Sequence, residues 1–200
     1  ETTFREATLE GASFAGVDAR AVTLSGATVE GGDLGGADLR HAILTDATLA
    51  DAALADADLS ESTAAGVVLA DAVLTDADLS DATVADATLT DADLSDATLT
   101  DADLSGVDAT DAEFERATVT GVDLRDTTLE RATLAEATLD DATADDAVFG
   151  RASLRAASGD GLSATAATFD DADCAELTLV DADLSGATLT EADLTEASVE

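Results

Sequence analysis

Apolar residues recur at every fifth position from one end of this chain to the other. Residues whose numbers end in 4 or 9 form 40 repeat centres: 24 Leu, five Phe, four Val and five Ala, with Gly159 and Cys174. Ala stands two residues before the centre in 29 of the 40 repeats, and Thr, Asp or Ser usually stands directly before it. At the positions whose numbers end in 1 or 6, 33 of 40 residues are Asp, Glu or Gly. A period of five matches neither an α-helix at about 3.6 nor a flat strand at about 2, and a coiled-coil seam needs sevens. It predicts a backbone that turns once per repeat, with a large and a small apolar residue pointing inward and three polar residues pointing outward. Gly and Asp tolerate the turn geometry, and the absence of Pro suits coils that pair through backbone N–H groups on both sides.

Several centres are small beside a large neighbour: Phe14 with Ala19, Ala109 with Phe114, Ala144 with Phe149, and Ala164 with Phe169. Close packing asks for such volume compensation within a layer. An offset of 20 residues stacks Ala144 on Ala164 and Phe149 on Phe169, which points to four repeats per coil. The segment Ala156–Leu162 loses its large centre at Gly159, and a bulge or local loop is predicted there.

Runs such as Ala87-Thr88-Leu89-Thr90-Asp91 make residues 1–200 resemble the pentapeptide-repeat family, whose consensus is Ala, Asp or Asn, Leu and two variable residues. The resemblance implies an all-β fold: a right-handed quadrilateral parallel β-helix, a solenoid of about ten coils, as one domain over residues 1–200. At ~4.8 Å between coils the rod would be roughly 48 Å long. No capping helix is legible at either end, so the open edges suit pairing with a second copy, or the chain is part of a longer one.

Charge changes the functional picture. The 45 acids, 32 of them Asp, face eight Arg and no Lys, for a net charge of −37. Self-repulsion of this size is mostly screened at about 1 M salt, where the Debye length is roughly 3 Å. The acidity therefore reads as adaptation to a high-salt cytosol, and a cytoplasmic location is expected. Without Met the natural N-terminus is expected to be missing. Residues 1–40 carry seven acids, three Arg and seven of the 14 Gly, a smooth, nearly neutral end suited to a junction. No apolar run approaches the roughly 20 residues that span a bilayer, and a surface this poor in cations and aromatics excludes direct nucleic-acid binding.

Catalytic candidates are few. His41 and Cys174 are the only His and Cys, and the coil arithmetic puts them about 29 Å apart along the rod, with Cys174 inward and His41 at an outward corner. A convex rod offers no cleft in which to split a carboxylate pair, so no catalytic residue, metal site or cofactor is assigned. Two acidic ladders are predicted, Asp51, Asp71, Asp91 and Asp111 at one corner and Asp18, Asp38, Asp58 and Asp78 on another face. Single carboxylates stacked at ~4.8 Å do not gather the six to eight oxygens calcium takes. Arg131 and Arg151 interrupt the first ladder, with Arg116 and Arg155 nearby, and are read as charge relief against Glu115 and Glu136. Ile43, Val68 and Val73 are outward apolar residues and form a candidate contact patch.

Two functions follow. The first is a non-catalytic rigid scaffold or spacer for an unidentified protein partner. The second comes from the family resemblance: members that give quinolone resistance are acidic rods that imitate DNA before type II topoisomerases, a role for which the Asp51–Asp111 ladder would be the contact surface. At about one charge per 1.3 Å this rod compares with about one per 1.7 Å for duplex DNA.

Overall fold

The computed structural model describes residues 2–199 as one right-handed parallel β-helix that turns at every repeat. One repeat shows how the backbone is satisfied. In Ala92-Asp93-Leu94-Ser95-Asp96 the N–H of Asp93 donates to Ala72 O of the preceding coil (2.9 Å), and those of Leu94 and Asp96 donate to Glu113 O (2.7 Å) and Glu115 O (2.9 Å) of the next. The N–H of Ala97 closes the corner on Leu94 O at 3.1 Å, with Asp96 left-handed at φ 61°. A bond from residue i+3 to residue i with positive φ at i+2 is a type II turn. The corner residue is left-handed along the whole chain, with φ of 52–62° where it is not Gly. Asp reaches this region more readily than other side chains, which explains why Asp dominates the corners where Gly is absent.

Bridges run parallel between residues i and i+20, from Thr3 with Thr23 to Asp173 with Asp193. Each side of a coil is so short that a single residue pairs before the next turn. Only near the C-terminal end do two neighbours pair, giving β1 (Thr178–Leu179) and β2 (Ser198–Val199), which are parallel. Four repeats therefore close one coil, and positions 20 apart form columns along the rod.

Inside, Leu centres and inner Ala residues make one continuous buried core. Phe149 and Phe169 stack face to face with centroids 4.7 Å apart, and Ala144 and Ala164 are both fully buried, as the 20-residue offset predicts. In the first and last coils the centres Phe4, Leu9, Phe14, Leu184 and Leu189 are only half-buried, and Leu194 and Val199 are exposed.

The bulge expected at Ala156–Leu162 does not form. Gly159 N–H donates to Thr178 O (2.9 Å), Gly161 N–H to Val180 O (2.7 Å) and Ser163 N–H to Ala142 O (3.0 Å), so the ladder runs straight through. Volume explains why. A Cβ on Gly159 would come within 2.8 Å of Leu179 Cδ2 and 3.3 Å of Leu162 Cδ2. Leu179 of the next coil and Leu162, at a position normally held by Ala, together fill the space that the missing centre leaves.

Candidate functional site

Thr is the commonest residue directly before a centre, but where Asp stands there it has a local task. The fifth N–H of each repeat, belonging to the residue after the centre, has no place in the ladder. Every Asp directly before a centre accepts this N–H through its side chain, at 2.9–3.4 Å, as Asp58 does for Ser60 and Asp93 for Ser95. Asp140, Asp145 and Asp170 serve the same donor one coil further on, at Asp160, Thr165 and Thr190. The bonds within one repeat are Asx turns, for which a Glu is one carbon too long. The second predicted ladder, Asp18–Asp38–Asp58–Asp78, stacks as expected, and each member is committed to such a bond.

The first ladder differs. Asp51, Asp71, Asp91 and Asp111 are corner residues at φ 57–61°, joined coil to coil by backbone bonds such as Asp71 N–H to Thr90 O (3.0 Å). Arg131 closes the run with a bidentate pair to Asp111, Nε at 2.7 Å and Nη2 at 2.5 Å. This hydrogen-bonded guanidinium holds the Asp111 carboxyl below the usual carboxylate range. Asp51, Asp71 and Asp91 project into solvent. A second column at the next corner, Asp56, Asp76 and Asp96, matches it and ends the same way, Arg116 pairing with Asp96 at 2.8 and 2.6 Å. Both columns begin above Gly corners, Gly31 and Gly36. The other two corners break their acids with Gly at Gly66 and Gly106 and at Gly121 and Gly161, each lying under a carboxylate oxygen of the preceding coil. The second continuous column was missed in the sequence, although the 20-residue offset contains it.

Charge relief follows the expected pairs only in part, through Glu115 and not Glu136. Arg116 reaches Glu115 as well as Asp96. Arg131 takes Glu130 at 3.0 Å besides Asp111, and Arg151 lies 3.5 Å from Glu130 and 3.7 Å from Asp171. Arg155 pairs with Glu176. Among the described residues Glu136 joins none of them. Arg116–Asp96, Arg131–Asp111 and Arg151–Asp171 join residues 20 apart in one column, while the Glu partners lie beside their Arg along the chain or 21 residues away.

Ile43, Val68 and Val73 are not brought together. Ile43 pairs with Thr23 and Thr63, Val68 with Thr48 and Thr88, and Val73 with Ala53 and Asp93, which are columns on three successive faces. Residues 25 and five apart belong to different sides of a 20-residue coil, so no single patch results. Ile43 and Val73 are exposed, and Val68 is half-buried.

His41 is exposed, with Nδ1 3.3 Å from Glu61 Oε2. Cys174 is fully buried, and burial, with Asp173 and Asp193 adding to it, pushes its thiol up to about 11. The two lie six coils apart and share no site. Among the described residues no cluster of His, Cys, Asp and Glu has the geometry to hold a metal ion, and no helix is long and apolar enough to cross a membrane.

A family model described as pentapeptide repeats matches eight copies across residues 1–126 and 167–200. The chain belongs to the pentapeptide-repeat family. Residues 127–166, which that model passes over, keep the same register in the structure. Among solved pentapeptide-repeat structures, HetL from the cyanobacterium Nostoc sp. strain PCC 7120, a protein involved in heterocyst differentiation regulation, is 31% identical. That match covers 98% of this chain and 86% of HetL with a TM-score of 0.65. Trypsin-treated QnrB1, a plasmid-mediated fluoroquinolone resistance protein, shares the fold at 16% identity and a TM-score of 0.51, over 96% of this chain and 89% of the other. Sequence comparison with curated proteins gives no match.

Proposed function

We propose that this pentapeptide-repeat protein is a non-catalytic, rigid acidic scaffold or spacer that holds a protein partner on its outer surface. The observation that carries this reading is the unbroken 20-residue register. It makes every side of the rod a flat, fixed array of outward side chains with no cleft between them. The likeness to HetL, a protein involved in a regulatory process, fits a role exerted by contact. End-to-end pairing of two copies, burying Leu194 and Val199, belongs to the same reading.

DNA mimicry is the second reading, and the continuous Asp columns favour it. The Asp residues before the centres keep their charge within the net −37 but are tied into turns, so the freely projecting carboxylates are those of the corner columns. The test is supercoiling by a type II topoisomerase titrated with the protein, beside the variant D71N/D91N/D111N. Asn keeps the left-handed corner and removes the charge. No inhibition at large excess is the expected result. Inhibition by the parent that the variant loses would replace the scaffold by mimicry.

A further inference from the structure

The two continuous Asp columns flank one face of the rod, and the middle of that face is apolar. In coils three and four (residues 41–80) its outward residues are Ala53, Ala55, Val73 and Thr75. Ala53 and Val73 are paired across the coils, with Asp33 and Asp93 next in the column on either side. Val73 is 41% exposed. Asp51, Asp71 and Asp91 stand along one edge and Asp56, Asp76 and Asp96 along the other, all exposed. Towards the N-terminal end both edges pass into Gly31 and Gly36, and towards the C-terminal end into the Arg131–Asp111 and Arg116–Asp96 pairs. Asp51, Asp71, Asp56 and Asp76 thus stand directly beside the apolar floor, with Asp91 one coil beyond it next to Asp93.

We propose that this face docks an amphipathic α-helix of a partner protein, lying along the rod with an apolar stripe on Ala53 and Val73 and a Lys or Arg on each side per turn. Charge complementarity fixes the sign, since an apolar strip between two rows of carboxylates selects a basic partner segment and repels an acidic one. Geometry fixes the shape. An α-helix advances about 5.4 Å per turn, against ~4.8 Å between coils. Over three steps the offset is roughly 2 Å, which long flexible side chains absorb. The other exposed apolar residue of this region, Ile43, has no such frame, because its flanking corners carry His41 and Glu61 on one side and Asp46 and Gly66 on the other. The proposal rests on the scaffold reading and names the chemistry of what the scaffold holds.

The probe is a fluorescent helix-forming peptide of roughly 14 residues, with a Leu and Ala stripe flanked by Lys, beside a scrambled peptide of the same composition. Binding to the intact protein is followed by anisotropy at about 0.1 M KCl, where surface charge still acts over roughly 10 Å. The ordered peptide is expected to bind at least about tenfold more tightly than the scrambled one. V73D and V73S should abolish that preference, and I43D should keep it. Asp and Ser already occupy the same column at Asp93 and Ser153, so both substitutions suit the fold. D71N/D76N should weaken both peptides. Equal binding of the two peptides by the parent, or a preference that survives V73D and V73S, overturns the proposal and shows only a diffuse polyanion. The supercoiling test involves no residue of the apolar floor, so either result there leaves the two failures distinguishable.

Discussion

Three jobs recur among the carboxylates of this rod, set largely by place in the five-residue unit. Before the centre a carboxylate accepts an N–H the ladder leaves over; at the corner it occupies a left-handed backbone; beside an Arg it forms a pair. Asp78 belongs to the first group, accepting from Ser80 N–H at 2.9 Å and Ser80 Oγ at 2.6 Å. Asp78→Ala should cost about 1 kcal/mol in urea unfolding, while Asp78→Asn, which keeps the acceptor, should stay near the parent. Asp111 belongs to the corner and pair groups. Its folded-state pKa lies below the unfolded one, so its stabilisation is fully present above about pH 4 and is lost as pH falls through the folded value. Carboxyl NMR should show Asp111 titrating below an ordinary Asp, and Arg131→Gln should return it to the usual range. An unmoved midpoint in that variant would remove Arg131 as the cause. The Asp excess over Glu was legible in the sequence, but its local use was not. Which backbone donor a ladder leaves over is a property of pairing, and nothing in composition separates a carboxylate that accepts an N–H from one that adapts a surface to salt.

The coil is the unit in which volume is conserved. Phe149 over Phe169 and Ala144 over Ala164 were readable because a 20-residue offset puts like on like. Gly159 misled because its compensation comes from the centre one coil on, Leu179, and from Leu162, three residues on at an inner Ala position, and not from a centre beside it in its own coil. Leu162→Ala should therefore behave as a true core deletion, costing about 2–5 kcal/mol by urea midpoint, although the position normally carries Ala. A cost under about 1 kcal/mol would mean the site collapses without it. The contact patch failed for the related reason that nearness in sequence is not nearness on this surface. Val68 and Val73 are one turn apart, and the residues beside Val73 are Ala53 and Asp93.

Across the whole molecule, four flat sides and four corner columns decide what a partner can meet. Unpaired corner carboxylates ~4.8 Å apart repel by roughly 0.9 kcal/mol in water before screening, and the columns repeat this over several steps. The thermal midpoint should therefore rise from dilute buffer to molar KCl, and D51N/D71N/D91N should flatten that rise. A midpoint indifferent to salt would contradict the reading of these columns as unrelieved charge. The fold was legible almost entirely, because period five and the 20-residue offset are both written in residue identity. The surface was legible in part, since the offset predicts each column while the choice of Arg partners depends on side-chain reach.

Rigidity along the full length is the claim on which scaffold and docking face both depend, and amide hydrogen exchange tests it most directly. The decisive stretch is 127–166, which the family model passes over and where Gly159 replaces a core residue. The ladder bonds of Gly159, Gly161 and Ser163 predict exchange as slow as that of Leu89, Leu94 and Leu99 in the middle of the rod. Fast exchange confined to residues 156–163 would show two stiff segments joined by a hinge, and would contradict a single rigid rod.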